Sequence, residues 1–249
     1  MRKLAAWAVH VFTASGLLAG FMGLLAVAAG DYRLAMLWIV VTLVIDGVDG
    51  TFARMARVGE VLPRVSGKTI DYVIDFFTYA ILPAYLFYEA FDFAEWARLG
   101  CCFAMLLSAA LYYGKEGMVS ASGHHFVGFP VMWNMVVYVL VFVVPGLPPW
   151  ALVTLVVSFA VLHFVPLLFA YPSRGGRWWV LTLIATVAFV LSAVMNVWYY
   201  PAASPFWRGV CLLTVLYYAV LAAVDTYHGA GPQVQTSPET RPSRGSADR

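Results

Sequence analysis

Long hydrophobic stretches dominate the chain, and short polar or proline-containing segments separate them. A helix of about 20 apolar residues spans the hydrocarbon core of a bilayer, so stretches of this length predict transmembrane helices. Eight such stretches are present, at approximately 5–29, 34–56, 66–90, 94–115, 129–147, 149–171, 177–200 and 206–228. The pattern predicts an all-α, polytopic membrane helical bundle of about eight transmembrane helices.

The two ends of the chain need separate interpretation. The apolar stretch after Arg2 and Lys3 runs for about 25 residues. This is longer than the roughly 7–15 apolar residues of a secretory signal peptide, so a retained first helix is favoured over a cleaved one. Residues 231–249 have a composition typical of disorder. We therefore expect one integral-membrane domain over residues 1–230 and a disordered cytoplasmic tail over residues 231–249.

Composition and charge narrow the function classes. The chain is 62% hydrophobic and 11% charged, which is typical of a membrane protein and not of a soluble domain. A net charge of +2 is too small to indicate nucleic-acid binding. Cys101, Cys102 and Cys211 all lie in apolar stretches, so they are interpreted as core residues and not as a disulfide framework.

Basic residues are distributed unevenly between the two sides of the predicted bundle. Eight spans place both termini on one side, and twelve of the fifteen Lys and Arg residues fall there. These twelve are Arg2, Lys3, Arg54, Arg57, Arg64, Lys68, Lys115, Arg174, Arg177, Arg241, Arg244 and Arg249. The positive-inside rule predicts that both termini, and the turn between the second and third spans, face the cytoplasm.

The second and third predicted spans carry four aspartates, Asp46, Asp49, Asp71 and Asp75. Spacings of three and four residues place each pair on one face of its helix. One carboxylate at mid-bilayer costs about 2.5–3.5 kcal/mol, so four close together need hydration or neutralisation. A divalent cation that prefers oxygen ligands, Mg²⁺ or Mn²⁺, would neutralise them. The sequence therefore predicts a metal site, with phosphate as the expected partner of the metal.

Small residues and one arginine share the faces that carry the aspartates. At about 100° per residue, Gly50 and Ala53 lie on the stripe of the first pair and Arg54 lies at its edge. On the next helix Gly67 precedes the second pair. The small residues leave space either for a ligand or for close helix packing. The arginine is suited to phosphate, although it could also act only as a determinant of topology.

A buried ion-pair network offers a structural alternative for the aspartates, with Arg54, Arg57 or Lys68 as partners. The particular order of acidic and small residues favours the metal site over this network. A cation transporter is an alternative from another functional class, because transporters also place aspartates within the membrane. It would need polar residues along a continuous path, whereas the outward halves of these spans are strongly apolar.

These residues together resemble the motif of the CDP-alcohol phosphotransferase family, which has the form D-x-x-D-G-x-x-A-R, a spacer, and G-x-x-x-D-x-x-x-D. All eight fixed positions are present, between Asp46 and Arg54 and between Gly67 and Asp75. The spacer from Met55 to Ser66 has twelve residues, longer than is common in the family. In this respect the chain is similar to the bacterial phosphatidylcholine synthase branch.

Three further segments resemble that branch. They are H-V-F-T-x-x-G at 10–16, F-x-G-F-P-x-x-W-N at 126–134, and F-V-P followed by Y-P-S-R between 164 and 174. The resemblance covers roughly residues 5–180. It implies transfer of the phosphatidyl group of CDP-diacylglycerol to choline with release of CMP, by metal-assisted displacement. It also implies a homodimer in the bacterial inner membrane, and the positive-inside rule predicts that the active site faces the cytoplasm. Serine, inositol or glycerol phosphate are alternative acceptors.

The resemblance also implies a role for each motif residue. Asp46, Asp49 and Asp71 would hold Mn²⁺ or Mg²⁺, two ions in all, and Asp75 would complete the second position, act as general base, or both. The nucleotide and its phosphates would be bound by Gly50, Ala53, Arg54, Gly67 and Thr13. For Thr13, a bond to its own preceding helical turn is an equally good interpretation. His10 is expected to be an ordinary helix histidine with satisfied hydrogen bonds.

Choline carries a permanent positive charge that aromatic faces bind well. Aromatic residues make up 16% of the chain, so the sequence offers many candidates. Tyr72, Phe76 and Tyr79 are nearest the aspartate motif. Trp133 lies in the segment 126–134 that resembles the family, with Asn134 as a polar neighbour.

Overall fold

The structure, a computed structural model, describes residues 1–171, 178–202 and 204–228. The predicted loop at 172–176 and the predicted tail at 231–249 lie outside the described residues. The helices are α1 (Arg2–Ala28), α2 (Tyr32–Met55), α3 (Val58–Val61), α4 (Gly67–Asp75), α5 (Leu82–Ala90), α6 (Glu95–Tyr113), α7 (Trp133–Tyr138), α8 (Pro149–Leu162), α9 (Trp179–Tyr199) and α10 (Pro205–His228). A π-helical segment, Phe76–Ile81, joins α4 to α5, and another, Val139–Val143, extends α7. Two short strands are β1 (His125–Val127) and β2 (Leu168–Ala170).

Six of the described helices are long and apolar enough to cross a membrane. They are α1, α2, the continuous helix Gly67–Ala90, α6, α9 and α10. The prediction of a helical membrane protein is confirmed, and these six helices overlap the first four and the last two predicted spans.

The fifth and sixth predicted spans differ from the structure. They correspond to two shorter apolar helices, Trp133–Val143 and Pro149–Leu162. The second has 14 residues, so it is about 21 Å long and shorter than a typical hydrocarbon core of about 30 Å. The first is almost entirely enclosed by other helices, so protein and not lipid surrounds its backbone. The count of eight spans therefore stays a prediction.

The two strands form an antiparallel ribbon that joins distant parts of the chain. Phe126 pairs with Phe169 at its centre. Strand β1 follows α6 and strand β2 follows α8. Because the two strands pair, the chain between them, which contains α7 and α8, must begin and end at the same end of the bundle. Gly128 directly follows β1 with φ +89°, and a Cβ atom there would overlap the carbonyl group of His163. Only glycine fits this turn without rearrangement.

The ribbon, the start of α1 and the end of α10 lie at one end of the bundle, called the ribbon end below. The amide of Leu168 in β2 donates to Thr226 Oγ1 in the last turn of α10 at 2.8 Å. The ring of Tyr72 in α4 lies 5.4 Å from that of Tyr113 at the end of α6. The turn between α2 and α4 is therefore at the ribbon end as well.

Small residues let α1 pack closely against the helix that carries the second aspartate pair. A Cβ atom on Gly20 would lie 2.8 Å from the ring of Phe77. One on Gly16 would lie 3.2 Å from Ile74 Cγ2. This close approach turns the face of α1 that holds His10 and Thr13 towards α2 and α4.

The start of α4 is set by local capping. Ser66 Oγ accepts a hydrogen bond from the Thr69 amide at 3.2 Å, as expected for an N-cap residue. The π-helical segment begins directly after Asp75 and is followed by Pro83. Proline has no N–H to bond the carbonyl four residues earlier, so the preceding turn can widen. The sequence periodicity does not predict this wider turn.

Candidate functional site

Three of the four aspartates converge between α2 and α4. One carboxylate oxygen each from Asp46, Asp49 and Asp71 lies within 4.8 Å of the others. Asp49 is 7% exposed, and the other two are half-buried. Oxygen donors at this separation fit a hard divalent cation such as Mg²⁺ or Mn²⁺. The expected convergence of acidic groups from two helices is therefore observed for these three.

Asp75 lies beside this group without being part of it. It lines a small space of about 10 Å³ together with Asp46, Asp49 and Asp71. Such a space is close to the minimum that one water molecule requires. Asp75 is one helical turn further along the chain than Asp71, and therefore further from the ribbon end.

Tyr79 makes a contact that the sequence does not predict. Its hydroxyl donates a hydrogen bond of 2.7 Å to Asp46 Oδ2, and its role as a candidate for choline stays a prediction. The side chain is 9% exposed. A buried hydroxyl bonded to a carboxylate fixes the orientation of that carboxylate. Tyr79 belongs to the π-helical segment, so spacing on a regular helix could not reveal this contact.

A cavity of about 640 Å³ opens next to the aspartates, between α1, α2 and the start of α4. All five residues predicted to bind the nucleotide line it, namely Thr13, Gly50, Ala53, Arg54 and Gly67. Asp49 and Asp71 also line it, so the cavity and the aspartate cluster are continuous. Other residues that line it, which the sequence did not assign to the nucleotide site, include His10, Arg57, Glu60 and Lys68.

The space around Gly50 distinguishes a ligand cavity from close packing. A Cβ atom on Gly50 would meet only the guanidinium of Arg54, at 3.5 Å, an ordinary contact distance. Helix packing therefore does not require glycine at this position. Arg54 is exposed, and its Nη2 donates to Thr51 Oγ1 at 3.0 Å. The guanidinium thus lies at the edge of the cavity, where it can reach an anion.

The alternative of an ion-pair network is not supported among the residues that the structure describes. Within them, none of the four aspartates forms a salt bridge with Lys or Arg. In the part of the chain that the structure describes, the one Arg–carboxylate contact is between Arg57 and Glu60 at 4.0 Å, and both side chains are about three-quarters exposed. Exposed pairs of this kind contribute little. The acidic cluster therefore has no Lys or Arg side chain paired with it among the described residues.

An aromatic group lies beside Asp75. Tyr113 packs against Tyr72, with ring centroids 5.4 Å apart, and against Phe76, with centroids 6.4 Å apart. Tyr72 and Phe76 flank Asp75 along the chain, three residues before it and one after it, so the group adjoins that aspartate. The Lys68 ammonium lies 5.3 Å from the centre of the Tyr72 ring, a distance at which an aromatic face attracts a cation. Tyr113 was not among the candidates from the sequence, because it lies on α6, far along the chain from the motif.

Trp133 and Asn134 lie in a neighbouring cluster. Both are fully buried, and the Trp133 ring meets those of His163 and Phe159 at 5.4 Å and 6.5 Å. Within the described residues, no ring contact joins Trp133 to the group around Tyr113. A contact of Trp133 or Asn134 with choline stays a prediction.

Two residues of α1 differ from their ordinary structural interpretation. Thr13 is 9% exposed, and among the hydrogen bonds between described residues none joins its hydroxyl to its own helix. His10 is 5% exposed, and its Nε2 has no hydrogen-bond partner among the described residues. The expectation of a satisfied histidine is therefore wrong for this atom.

Comparison with known proteins adds independent evidence. No family model matches the chain. The phosphatidylcholine synthase of Rhizobium johnstonii is 39% identical over 175 residues, which cover 70% of this chain and 71% of that protein. The one from Brucella melitensis is 34% identical over 220 residues, 88% and 78% of the two chains. The one from Pseudomonas aeruginosa is 32% identical over 225 residues, 85% and 92% of the two chains. The chain therefore belongs to the phosphatidylcholine synthase family.

Proposed function

We propose that this protein transfers the phosphatidyl group of CDP-diacylglycerol to choline and releases CMP. Its relatives are phosphatidylcholine synthases, which supports this reaction. The observation that carries the proposal is the convergence of Asp46, Asp49 and Asp71 beside a cavity that Arg54 and three small residues line. Such a site combines a metal-binding carboxylate group with space for a nucleotide.

For the cofactor, we propose that Asp46, Asp49 and Asp71 hold Mn²⁺ or Mg²⁺, with Asp75 completing the second of two positions. Bound ions would neutralise the donor diphosphate and stabilise the charge that develops on the leaving CMP. The mutual distance of the carboxylate oxygens and the lack of Lys or Arg partners among described residues support this assignment.

The nucleotide half of the donor would occupy the larger cavity. Gly50, Ala53 and Gly67 present almost no side chain there, so the cytidine and its phosphates can approach the helix backbones. Arg54 would donate hydrogen bonds to a phosphate, which a guanidinium binds in a bidentate geometry. Thr13 would contribute a hydroxyl from the opposite wall.

The reaction is a direct displacement at phosphorus. The choline oxygen attacks the phosphorus that carries the diacylglycerol, and the bond from this phosphorus to the oxygen of CMP breaks. The choline hydroxyl must lose its proton as the new bond forms, and Asp75 is proposed to accept it. The side chain of Asp75 is half-buried next to the other aspartates, which suits a base that acts beside them.

The choline cation would lie against Tyr72, Phe76 and Tyr113. Aromatic faces attract a quaternary ammonium by about 0.5–2 kcal/mol, depending on solvation. Tyr113 packs against both of the other rings, and Phe76 directly follows Asp75 in the chain. This arrangement would bring the choline hydroxyl near the proposed base while the cation stays on the aromatic group.

For the membrane topology, we propose eight spans, both termini in the cytoplasm, and a site that faces the cytoplasm from the inner membrane. Of the ten described Lys and Arg residues, seven lie at or near the ribbon end: Arg2, Lys3, Arg54, Arg57, Arg64, Lys68 and Lys115. Arg33, Arg98 and Arg208 lie near the opposite end. This asymmetry supports a cytoplasmic ribbon end. We further propose one domain over residues 1–230 and a homodimer.

The test is a transfer assay with purified protein, CDP-diacylglycerol and Mn²⁺. Labelled choline, serine, inositol and glycerol phosphate are supplied in turn, and the label in lipid is compared with the CMP released. We expect only choline to enter lipid, with one CMP for each lipid formed. If another alcohol is incorporated efficiently instead, that alcohol and not choline is the acceptor. Metal flux into liposomes without nucleotide, together with no transfer, would instead support a transporter.

A further inference from the structure

We propose that His10 binds the substrate and that its Nε2 forms a hydrogen bond with the nucleoside part of CDP-diacylglycerol. This inference rests on the function proposed above and adds a residue to the nucleotide site. His10 lies outside the aspartate motif. It is three residues before Thr13, the other α1 residue assigned to that site.

The first argument is the unpartnered nitrogen. His10 is 5% exposed, and its Nε2 has no hydrogen-bond partner among the described residues. Buried polar atoms nearly always have a partner, because an unpartnered one loses its bond to water without replacement. Since His10 lines the larger cavity, a molecule in that cavity can supply the missing partner.

The second argument is the position of the ring along the cavity. Thr13 lines both the larger cavity and the small space that contains Asp46 and Asp75. His10 lines only the larger cavity, about one helical turn closer to the ribbon end. With the diphosphate at the aspartates, a group at His10 would belong to the ribose or the cytosine and not to the reacting phosphorus.

The third argument is the way in which the ring is held. Trp7 packs on it edge to face, with ring centroids 6.0 Å apart. On the side of α4, a Cβ atom at Gly67 would lie only 3.4 Å from His10 Cε1. The ring is therefore confined by its neighbours, and Nε2 can act as donor or acceptor according to the tautomer. A confined ring loses little conformational entropy when it binds a ligand.

The test compares three substitutions that separate packing from hydrogen bonding. His10→Phe keeps a ring but has no polar atom, His10→Gln keeps an amide nitrogen near the position of Nε2, and His10→Ala removes both. CMP binding is measured by titration calorimetry with Mn²⁺ present, and KM is measured for both substrates. We expect His10→Phe and His10→Ala to weaken CMP binding and raise the KM for CDP-diacylglycerol roughly fivefold to tenfold. His10→Gln should restore part of the loss.

The control readouts are Mn²⁺ binding without nucleotide, the KM for choline, and thermal unfolding. All three should stay near the parent values in His10→Gln and His10→Phe. Parent-like CMP binding by His10→Phe would overturn the proposal and leave His10 a packing residue. If the parent binds CMP through His10 but transfers phosphatidyl to an alcohol other than choline, the proposed acceptor fails and the His10 inference stands. No CMP binding by the parent would overturn both.

Discussion

At the residue scale, Asp75 differs from the other three aspartates in its place. Its carboxylate lies outside the group whose oxygens are within 4.8 Å of one another, yet it shares their small enclosed space. We predict that Asp75→Asn lowers CMP release by about 10²–10⁴-fold, the usual contribution of a general base. The substitution is nearly isosteric, so the protein should stay folded. CMP release and Mn²⁺ titration of the same preparation provide the measurements.

The Mn²⁺ titration separates the two proposed roles of Asp75. If Mn²⁺ binding is intact while turnover is lost, the residue acts as a base. If both are lost, it also holds a metal ion. Unchanged turnover would contradict both roles.

The bond between Tyr79 and Asp46 predicts an effect on metal affinity. Tyr79→Phe removes only the hydroxyl that holds the carboxylate at 2.7 Å. Loss of such a supporting bond typically lowers metal affinity or activity about 10–100-fold. We expect a shift of this size in the Mn²⁺ titration of Tyr79→Phe and a larger one in Asp46→Ala. A titration of Asp46→Ala that matches the parent would argue against a metal site here.

Tyr113 is the residue through which α6 would contribute to the acceptor site. We predict that Tyr113→Leu raises the KM for choline roughly threefold to thirtyfold, because a cation–π contact is lost. The KM for CDP-diacylglycerol should change little. Tyr113→Phe is the matched control, since it keeps the aromatic face and should keep most of the choline affinity. A selective effect of Tyr113→Leu on the lipid donor would contradict the assignment.

At the element scale, the ribbon depends on a turn that tolerates only glycine. Gly128 has φ +89° and lies against the carbonyl group of His163, whereas Gly123 has φ +75° and open space around it. Backbone strain at such a φ costs about 1–3 kcal/mol for an ordinary residue. We predict that Gly128→Ala lowers the thermal unfolding temperature more than Gly123→Ala, because only the first substitution adds a steric overlap. Equal effects would show that the ribbon does not pack as described.

Helix α1 shows how one element serves both packing and the site. Its small residues Gly16 and Gly20 allow close contact with α4 and the π-helical segment. The same face continues towards the ribbon end as Thr13 and His10, which line the larger cavity. The close approach of α1 therefore closes one wall of the proposed nucleotide site.

At the scale of the whole molecule, the proposed reacting groups gather near the ribbon end of the bundle. The aspartates and the larger cavity come from α1, α2 and α4, and Tyr113 comes from α6. The ribbon joins the segments after α6 and α8, and a hydrogen bond from Leu168 attaches it to α10. His125 Nε2 also contacts Asp225 Oδ2 on α10, at 3.0 Å. Contacts between residues far apart in the chain thus stabilise the end of the bundle that carries the proposed site.

Several features could be predicted from the chain alone because they depend on neighbours within one helix. The length of each apolar stretch predicted the helical membrane class, and spacings of three and four residues predicted which carboxylates share a face. The resemblance carried by Asp46 to Asp75 predicted the family. The two shorter helices, Trp133–Val143 and Pro149–Leu162, could not be told from full spans, since both types are apolar throughout.

The distances between groups on different helices were decided only by the tertiary structure. The bond from Tyr79 to Asp46 requires a widened helical turn, and the contact of Tyr113 with Tyr72 requires that α6 return to the ribbon end. That His10 Nε2 has no partner among the described residues can be recognised only from the positions of the side chains around it. Local spacing determines the direction of a side chain on its own helix, but packing determines what that side chain meets.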